Sequence, residues 1–311
     1  MHKNKVLIIG KNSFLGKNLY KGIKNKIDSR LLSYEGFLKL NNKEIKSFNY
    51  VCNCSLSVKY NKLKYKERND IDLKIVKKIK NYKINFIFLS SRKIYSNKKN
   101  IKENDKLEPK CNYAKNKIIT EKKIFKLLPN KLITLRISNI LGLKNHGSRR
   151  THTSFIDNYI KYISCNKKTY YENDYKDFIT IQQFIKIFYN IIKKNLKGTY
   201  NVGSGKKIYV KEILKWLDYK NLNKNKFSMK KNTYPNDSFT LDNKKLMNSI
   251  KLKIIHSNYY NNVKLGYWFR QKQYVAMLVI INIKIETCVT LLRFIVVNQA
   301  NNRLLLAYIK P

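Results

Sequence analysis

Four consecutive apolar residues, Val6-Leu7-Ile8-Ile9, run straight into Gly10-Lys-Asn-Ser13-Phe-Leu-Gly16, and from Leu15 onward apolar positions recur at helical spacing. A short unbroken apolar run bounded by glycine reads as a strand buried on both faces. A strand that turns through glycine into a helix opens a βαβ unit. The pattern repeats along the chain, with strands expected at 6–9, 30–33, 50–54, 86–89 and 132–137 and helices at 15–24, 71–79 and 113–127. A polar helix-and-loop stretch precedes the third strand. Such alternation specifies an α/β fold, a doubly wound parallel sheet with right-handed crossovers and ligands at the carboxyl ends of its strands. Beyond about residue 141 the alternation is less regular, with helical spacing at 154–163, 181–193 and 210–217. That half reads as a smaller C-terminal lobe.

The glycine turn carries the first chemical expectation, that of a Rossmann-type phosphate site. Gly10 makes the tight turn, Gly16 lets the helix pack close to the sheet, and the free N–H groups of the helix start face a pyrophosphate. Glu35 follows near the end of the second strand, where a carboxylate binds a ribose 2′-hydroxyl and favours NAD over NADP. A second expectation comes from Tyr113-Ala-Lys-Asn-Lys117. Residues four apart share a helix face, so Tyr113 and Lys117 point the same way. An ammonium beside a phenol favours the phenolate, and a hydroxyl from a nearby strand end completes a proton-transfer site.

Charge and cysteine content narrow the alternatives. The net charge is +47, but the lysines are spread through nearly every element and accompany no nucleic-acid motif, so we read compositional drift and expect no specific nucleic-acid partner. Cys52, Cys54, Cys111, Cys165 and Cys288 form no zinc-type pair of pairs, and the four histidines show no ligand spacing, so no metal is expected. The N-terminal apolar run is too short for a signal peptide, which makes the cytoplasm the expected location. From about Gly266 the composition changes abruptly to Val, Ile and Leu with few lysines. Lys284, Glu286 and Arg293 interrupt that stretch, so it is expected to be a divergent or frame-shifted tail rather than a membrane span.

These residues, taken in order, resemble the extended short-chain dehydrogenase/reductase family of nucleotide-sugar epimerases, dehydratases and reductases. Gly10, Ser13 and Gly16 fall on its glycine motif, Asn53 on its N-A-A strand end, and Asn69 on the asparagine opening the next helix. Ser90-Ser91-Arg-Lys-Ile-Tyr95 is similar to S-S-x-x-V-Y, and Tyr113 with Lys117 to Y-x-x-x-K. Leu135-Arg136-Ile-Ser-Asn139-Ile-Leu-Gly142, Lys176-Asp177-Phe178-Ile179 and Gly198-Thr-Tyr-Asn201-Val-Gly203-Ser-Gly205 resemble its downstream elements. The resemblance implies a dinucleotide held by Gly10, Asn12, Ser13, Phe14, Leu15, Gly16, Glu35, Asn53 and Lys117. It implies catalysis by Ser91, Tyr113 and Lys117, with Lys117 holding the nicotinamide ribose and lowering the Tyr113 pKa. The substrate, a nucleotide sugar, would meet Ser91, Tyr113, Asn139 and, at its diphosphate, Arg149 and Arg150. The cofactor is NAD, with NADP the alternative, and a homodimer is expected. The implied domains are a dinucleotide-binding domain at 1–140, a substrate lobe at 141–264 with segments returning to the sheet, and the tail at 265–311.

Departures from the family pattern refine the expected reaction. Ser13 stands in place of the middle glycine, adding a side chain where the backbone approaches the pyrophosphate. Arg92-Lys93 stands where the 4,6-dehydratases carry Asp-Glu, and two cations cannot protonate a leaving hydroxyl and remove a carbon-bound proton at neutral pH. Dehydration is thereby disfavoured, which leaves epimerase or 4-ketosugar reductase. A catalytically silent NAD(P)-binding sensor or scaffold of the same fold is the competing expectation.

Overall fold

The computed structural model describes residues 4–96, 100–142, 169–171, 174–217, 227–229 and 238–252. The chain divides into two units, Met1–Val263 and Lys264–Pro311, and the second lies wholly outside the described residues. So do the expected helix at 154–163 and the composition change after Gly266.

The first half winds as the alternation requires. In order come β1 (Lys5–Ile9), α1 (Phe14–Ile23), β2 (Asp28–Leu32), α2 (Tyr34–Leu38), α3 (Asn42–Lys46), β3 (Tyr50–Asn53), α4 (Val58–Lys62), α5 (Ile71–Ile79), β4 (Asn85–Ser91), α6 (Asn112–Leu127) and β5 (Leu132–Ile137). Then follow β6 (Asn139–Leu141), β7 (Thr169–Tyr171), β8 (Tyr175–Lys176), β9 (Phe178–Thr180), α7 (Ile181–Lys193), β10 (Gly198–Val202), β11 (Ile208–Tyr209), α8 (Val210–Leu217), β12 (Phe227–Met229) and α9 (Lys244–Ile250). Six strands form one parallel sheet in the order β10-β5-β4-β3-β1-β2. The winding reverses between β1 and β3, which opens a crevice at their carboxyl ends. Three two-stranded pairings, β11-β8, β12-β7 and β6-β9, serve the later part of the chain.

Strand alternation sorts the core into two layers. On one face Val6, Ile8, Tyr50, Cys52, Ile87, Leu89, Ile133 and Leu135 pack against α1 and α7. On the other Leu7, Ile9, Val51, Phe86, Phe88 and Leu132 pack against α5 and the end of α6. Helix α7 buries Phe184, Ile187, Phe188, Ile191 and Ile192, each worth about 2 kcal/mol of apolar burial. It starts at a Thr180–Gln183 capping box, which ties each residue's side chain to the other's backbone. A smaller cluster of Ile94, Tyr95, Ile101, Ala114, Phe239 and Leu241 seats the start of α6 against the segment after β4.

Two elements differ from the sequence expectation. β2 runs over Asp28–Leu32 rather than 30–33, because it is a sheet edge whose residues are only partly buried and give no apolar run to read. The stretch ahead of β3 forms two separate one-turn helices. Ser33 caps the first, accepting from Gly36 N at 3.0 Å, and Asn41 caps the second in a reciprocal pair with Glu44.

Candidate active site

The turn after β1 is closed tightly by its own groups. Gly10 has φ +124°, which side-chain-bearing residues rarely adopt, and its N–H and that of Lys11 donate to the Leu32 carbonyl at 2.7 and 3.0 Å. A Cβ at Gly16 would stand 2.4 Å from the Gly10 carbonyl oxygen. Ser13 folds inward instead of outward: its hydroxyl donates to the Gly10 carbonyl and accepts from Gly16 N, each at 2.9 Å. The side chain expected to crowd a pyrophosphate is therefore the N-cap of α1. No acidic residue lies in the first turn, so the helix start keeps its affinity for an anion.

The neighbouring expectations receive different placements. Phe14 buries its ring in the core, so it can meet a ligand only through the backbone, while Leu15 packs partly against that core. Asn12 is exposed at the tip of the turn. Glu35 is exposed in the first turn of α2, three residues past the end of β2, because Ser33 ends the strand by capping that helix. Asn53 ends β3, buried, with Oδ1 accepting from Ser55 N at 2.9 Å and Nδ2 donating to Asp72 Oδ1 at 2.9 Å. Helix α5 is opened by Asp70 rather than Asn69. Asp70 Oδ1 accepts from Leu73 N at 3.0 Å, while Asn69 closes a short 3₁₀ turn.

Helix α6 carries the tyrosine and the lysine. Its positions 113, 116, 117 and 120 fall on one face by helical spacing, and that face is held by α4 and α5. Asn116 donates to the carbonyls of Tyr60 and Leu63 at 2.6 and 2.8 Å. Thr120 Oγ1 donates to Asp70 Oδ2 at 2.5 Å and lies 2.7 Å from the Tyr60 hydroxyl. Tyr113, at the second position of the helix, is half-buried and bears electrostatically on Lys117 and Tyr60. Lys117 is buried and donates to Asp72 Oδ2 at 3.3 Å, with its ammonium 4.5 Å from the Phe88 ring centre and 5.6 Å from that of Tyr60. Burial works against this ammonium, but Asp72, Tyr113 and Asp70 more than offset it, and its pKa lies above the usual lysine value. Burial raises the pKa of Asp72, with the Lys117 ammonium opposing the shift.

Ser91 is the last residue of β4, half-buried, and its hydroxyl accepts from Lys93 N at 3.2 Å. The two cations that follow it diverge. Arg92 is buried with its guanidinium 4.5 Å from the Phe239 ring centre, while Lys93 is exposed. Behind them Arg136 binds Glu121, the Tyr95 hydroxyl at 2.8 Å and the Glu103 carbonyl at 2.7 Å, which locks α6 to β5. Asn139 is half-buried and donates to the Asp177 carbonyl at 2.9 Å, so its amide nitrogen serves the β6–β9 junction. Asp177 accepts from Ser204 N, Ser204 Oγ, Gly205 N and Leu241 N at 2.7–3.2 Å and fixes the loop after β10. Arg149 and Arg150 lie outside the described residues.

Sequence reasoning missed Asp72 and Asp70. The signal was present, since two acids at an i, i+2 spacing flank a helix start in a chain with only 19 acids among 311 residues. No group of three His, Cys, Asp or Glu side chains among the described residues is arranged to hold a metal ion. No described helix is long and apolar enough to cross a membrane.

Solved structures share this architecture. The UDP-N-acetylglucosamine 4-epimerase of Methanobrevibacter ruminantium superposes with a TM-score of 0.71 at 18% identity, covering 87% of this chain and 100% of that one. The dTDP-glucose 4,6-dehydratase of Bacillus anthracis, in complex with NAD, gives 0.66 at 14%, covering 86% and 97%. RMD of Pseudomonas aeruginosa, complexed with NADPH, gives 0.69 at 14%, covering 86% and 99%. At these identities the likeness establishes the fold alone. No curated protein matches the chain. The model of the NAD dependent epimerase/dehydratase family matches residues 40–203, a span of more than half the chain that begins after the glycine turn and takes in Asn53, Ser91, Tyr113, Lys117 and Asn139. The chain belongs to the NAD dependent epimerase/dehydratase family.

Proposed function

We propose that the protein is an NAD(P)-dependent nucleotide-sugar epimerase or 4-ketosugar reductase in which Ser91, Tyr113 and Lys117 manage the proton. The observation that carries this reading is a shared edge. The glycine turn after β1, the end of β3, Ser91 at the end of β4 and the first turn of α6 all belong to the carboxyl edge of one parallel sheet. Ala114, next to Tyr113, packs with Ile94 and Tyr95 just after Ser91, which supports bringing the phenol and the hydroxyl to one place. The cradle suits a dinucleotide: Gly10 and Gly16 have no room for a Cβ, and the α1 start is free of acids.

In this reading Gly10, Asn12, Ser13 and Gly16, with the backbone of Phe14 and Leu15, surround the pyrophosphate. Glu35 serves the adenosine end, and Asn53 and Lys117 the nicotinamide end. When bound, the nicotinamide supplies hydride chemistry; the protein supplies position and protons. Tyr113 exchanges a proton with the sugar hydroxyl or ketone, and Ser91 hydrogen-bonds the same oxygen. Lys117 holds ribose hydroxyls and lends its charge to Tyr113. Residues 141–264, with α7 and β10 returning to the large sheet, supply the substrate lobe, and Asn139 just before it, with Arg149 and Arg150 within it, meets the nucleotide sugar. Dehydration is set aside because Arg92 and Lys93 offer no carboxylic acid beside Ser91. Cytoplasmic location and homodimer assembly belong to the same proposal, and sedimentation of the full chain tests the latter.

The competing reading is a silent dinucleotide-binding protein, in which the bond from Lys117 to Asp72 serves only to hold α5 to α6. Incubation with UDP-, dTDP-, GDP- and CDP-sugars and both dinucleotides in both redox states decides the matter. An epimerase forms product without net change in cofactor absorbance, and a reductase consumes the reduced form. Dinucleotide binding without turnover of any sugar would establish the silent reading, and equal turnover by Tyr113→Phe would remove the proton role of Tyr113.

A further inference from the structure

The paired acids Asp70 and Asp72 at the start of α5 are used differently. Asp70 is satisfied by neutral donors: Leu73 N, the Thr120 hydroxyl and the Tyr65 hydroxyl, the last at 3.0 Å. Asp72 divides its carboxylate between the two residues assigned to the nicotinamide end. Oδ1 accepts from Asn53 at 2.9 Å and Oδ2 from Lys117 at 3.3 Å, and both sides of the ion pair are about 95% buried. We propose that Asp72 is a positioning residue of the proton-transfer site, which orients the Lys117 ammonium and offsets its charge and so sets the pH at which Tyr113 ionises. This rests on the reading of Tyr113 and Lys117 as the proton-transfer pair.

The physical case has two parts. An ammonium carries three donors, and Asp72 takes one of them, which leaves two for a ligand with paired hydroxyls. The surroundings of Lys117 include the rings of Phe88 and Tyr60 and the buried Cys52, so the carboxylate dominates the orientation of the ammonium. The second part is electrostatic. A lone cation near a phenol draws its pKa down, whereas a cation with a carboxylate against it presents a dipole, whose field falls off faster. Asp70 and Asp72 at the start of α5, Tyr60 from α4 and Cys52 from β3 all bear electrostatically on the pair. Of these, Asp72 alone forms an ion pair with Lys117.

The test is a phenolate absorbance titration of the full chain without cofactor. Wild type, Asp72→Asn, Asp72→Ser and Lys117→Met are each compared with the same protein also carrying Tyr113→Phe, so that the difference isolates Tyr113. Both Asp72 variants are expected to lower the Tyr113 midpoint by about one pH unit, and Lys117→Met to raise it. NADH fluorescence titration should show Asp72→Asn weakening binding several-fold through lost orientation. Where a single variant folds poorly, the doubly neutral Asp72→Asn/Lys117→Met protein replaces it, since removing both members of a buried pair is gentler than removing one, and it should titrate below Lys117→Met alone, which leaves the Asp72 charge unopposed. A midpoint unmoved by Asp72 substitution, with Lys117→Met still raising it, overturns the role of Asp72 and leaves the pair intact. A midpoint unmoved by Lys117→Met overturns the pair itself and the proposal with it.

Discussion

Gly16→Ala probes whether the turn after β1 is as tightly closed as its contacts imply. The new Cβ would stand 2.4 Å from the Gly10 carbonyl oxygen and 2.8 Å from Ser13 Oγ. Neither neighbour can swing aside without loss, because that carbonyl accepts from Ser13 N at 2.8 Å and from Ser13 Oγ at 2.9 Å. Relief means opening the turn. Alanine's helix preference returns about 1 kcal/mol. Against it stand overpacking at about 1–3 kcal/mol, the Ser13 cap at about 1 kcal/mol, and a turn hydrogen bond at about 1 kcal/mol. The net is a loss of about 3 kcal/mol, or a fall of about 6–12 °C in melting temperature for a domain of this size. Gly36→Ala is the control: it also sits in a helix, but its Cβ would come no closer than 3.4 Å to any neighbour, so a neutral or stabilising effect is expected. Melting followed by circular dichroism reads both. Gly16→Ala melting within about 2 °C of wild type would refute the closure argument, and the same variant binding NADH normally would detach the turn from the dinucleotide.

The remaining perturbations address other parts of the site. Ser13→Ala should cost about 1 kcal/mol and Ser13→Gly only a few tenths in urea melts, because an inward-folded cap is what is lost; equal costs would contradict the cap. Asp177→Asn withdraws acceptors from a loop with four donors on one carboxylate and should cost about 2–4 kcal/mol, read by the same melts, with a cost below about 1 kcal/mol counting against it. Lys117→Met should reduce NADH affinity and turnover together, and unchanged affinity would remove the ribose assignment. Burial pushes the Tyr95 phenol up to about 12 from its ordinary 10.0, so its stabilising contribution is present below the ordinary value and lost as pH rises toward 12. Tyr95→Phe should make the alkaline loss shallower, with Tyr50, Tyr60, Tyr65 and Tyr200 still contributing, and cost about 1–3 kcal/mol at neutral pH, read by urea melts at neutral and alkaline pH, since the hydroxyl bridges Arg136 and Asn201.

The elements legible in the sequence were those whose periodicity burial enforces. The apolar spacing of 71–79, 132–137 and 181–193 yields α5, β5 and α7 with the expected bounds, because each packs an apolar face against the sheet or lies within it. β2 was displaced because an edge strand buries little. The placement of Glu35 shifts with it: Ser33, the last residue of the expected strand, is a helix cap. The inward turn of Ser13 was hidden for a different reason. A motif gives residue identity but no rotamer, and a serine three residues ahead of Gly16 can cap the helix or project from it with the same letters. The acids at 70 and 72 leave a local mark at the start of α5, but the partner of Asp72 does not, because Lys117 lies 45 positions away in sequence.

The unusual charge is explained by where the acids sit. Asp70, Asp72, Asp174, Asp177 and Asp242 are buried, and Glu121 and Glu103 serve the Arg136 network. Removing a buried, hydrogen-bonded carboxylate leaves its donors or its cation unmatched and costs about 3–5 kcal/mol when an ion pair is broken. Exchanging an exposed residue for lysine usually changes stability by less than about 0.5 kcal/mol. A bias toward lysine can therefore fill the surface while being stopped at interior acids, because only there does the substitution threaten a stability of about 5–15 kcal/mol. On that account the buried aspartates hold the fold and its site together, whereas Asp28, Glu35 and Glu108 stand exposed among the surface lysines. Asp72 is the case where both duties meet, since it supports Asn53 at the end of β3 and the lysine four residues after Tyr113.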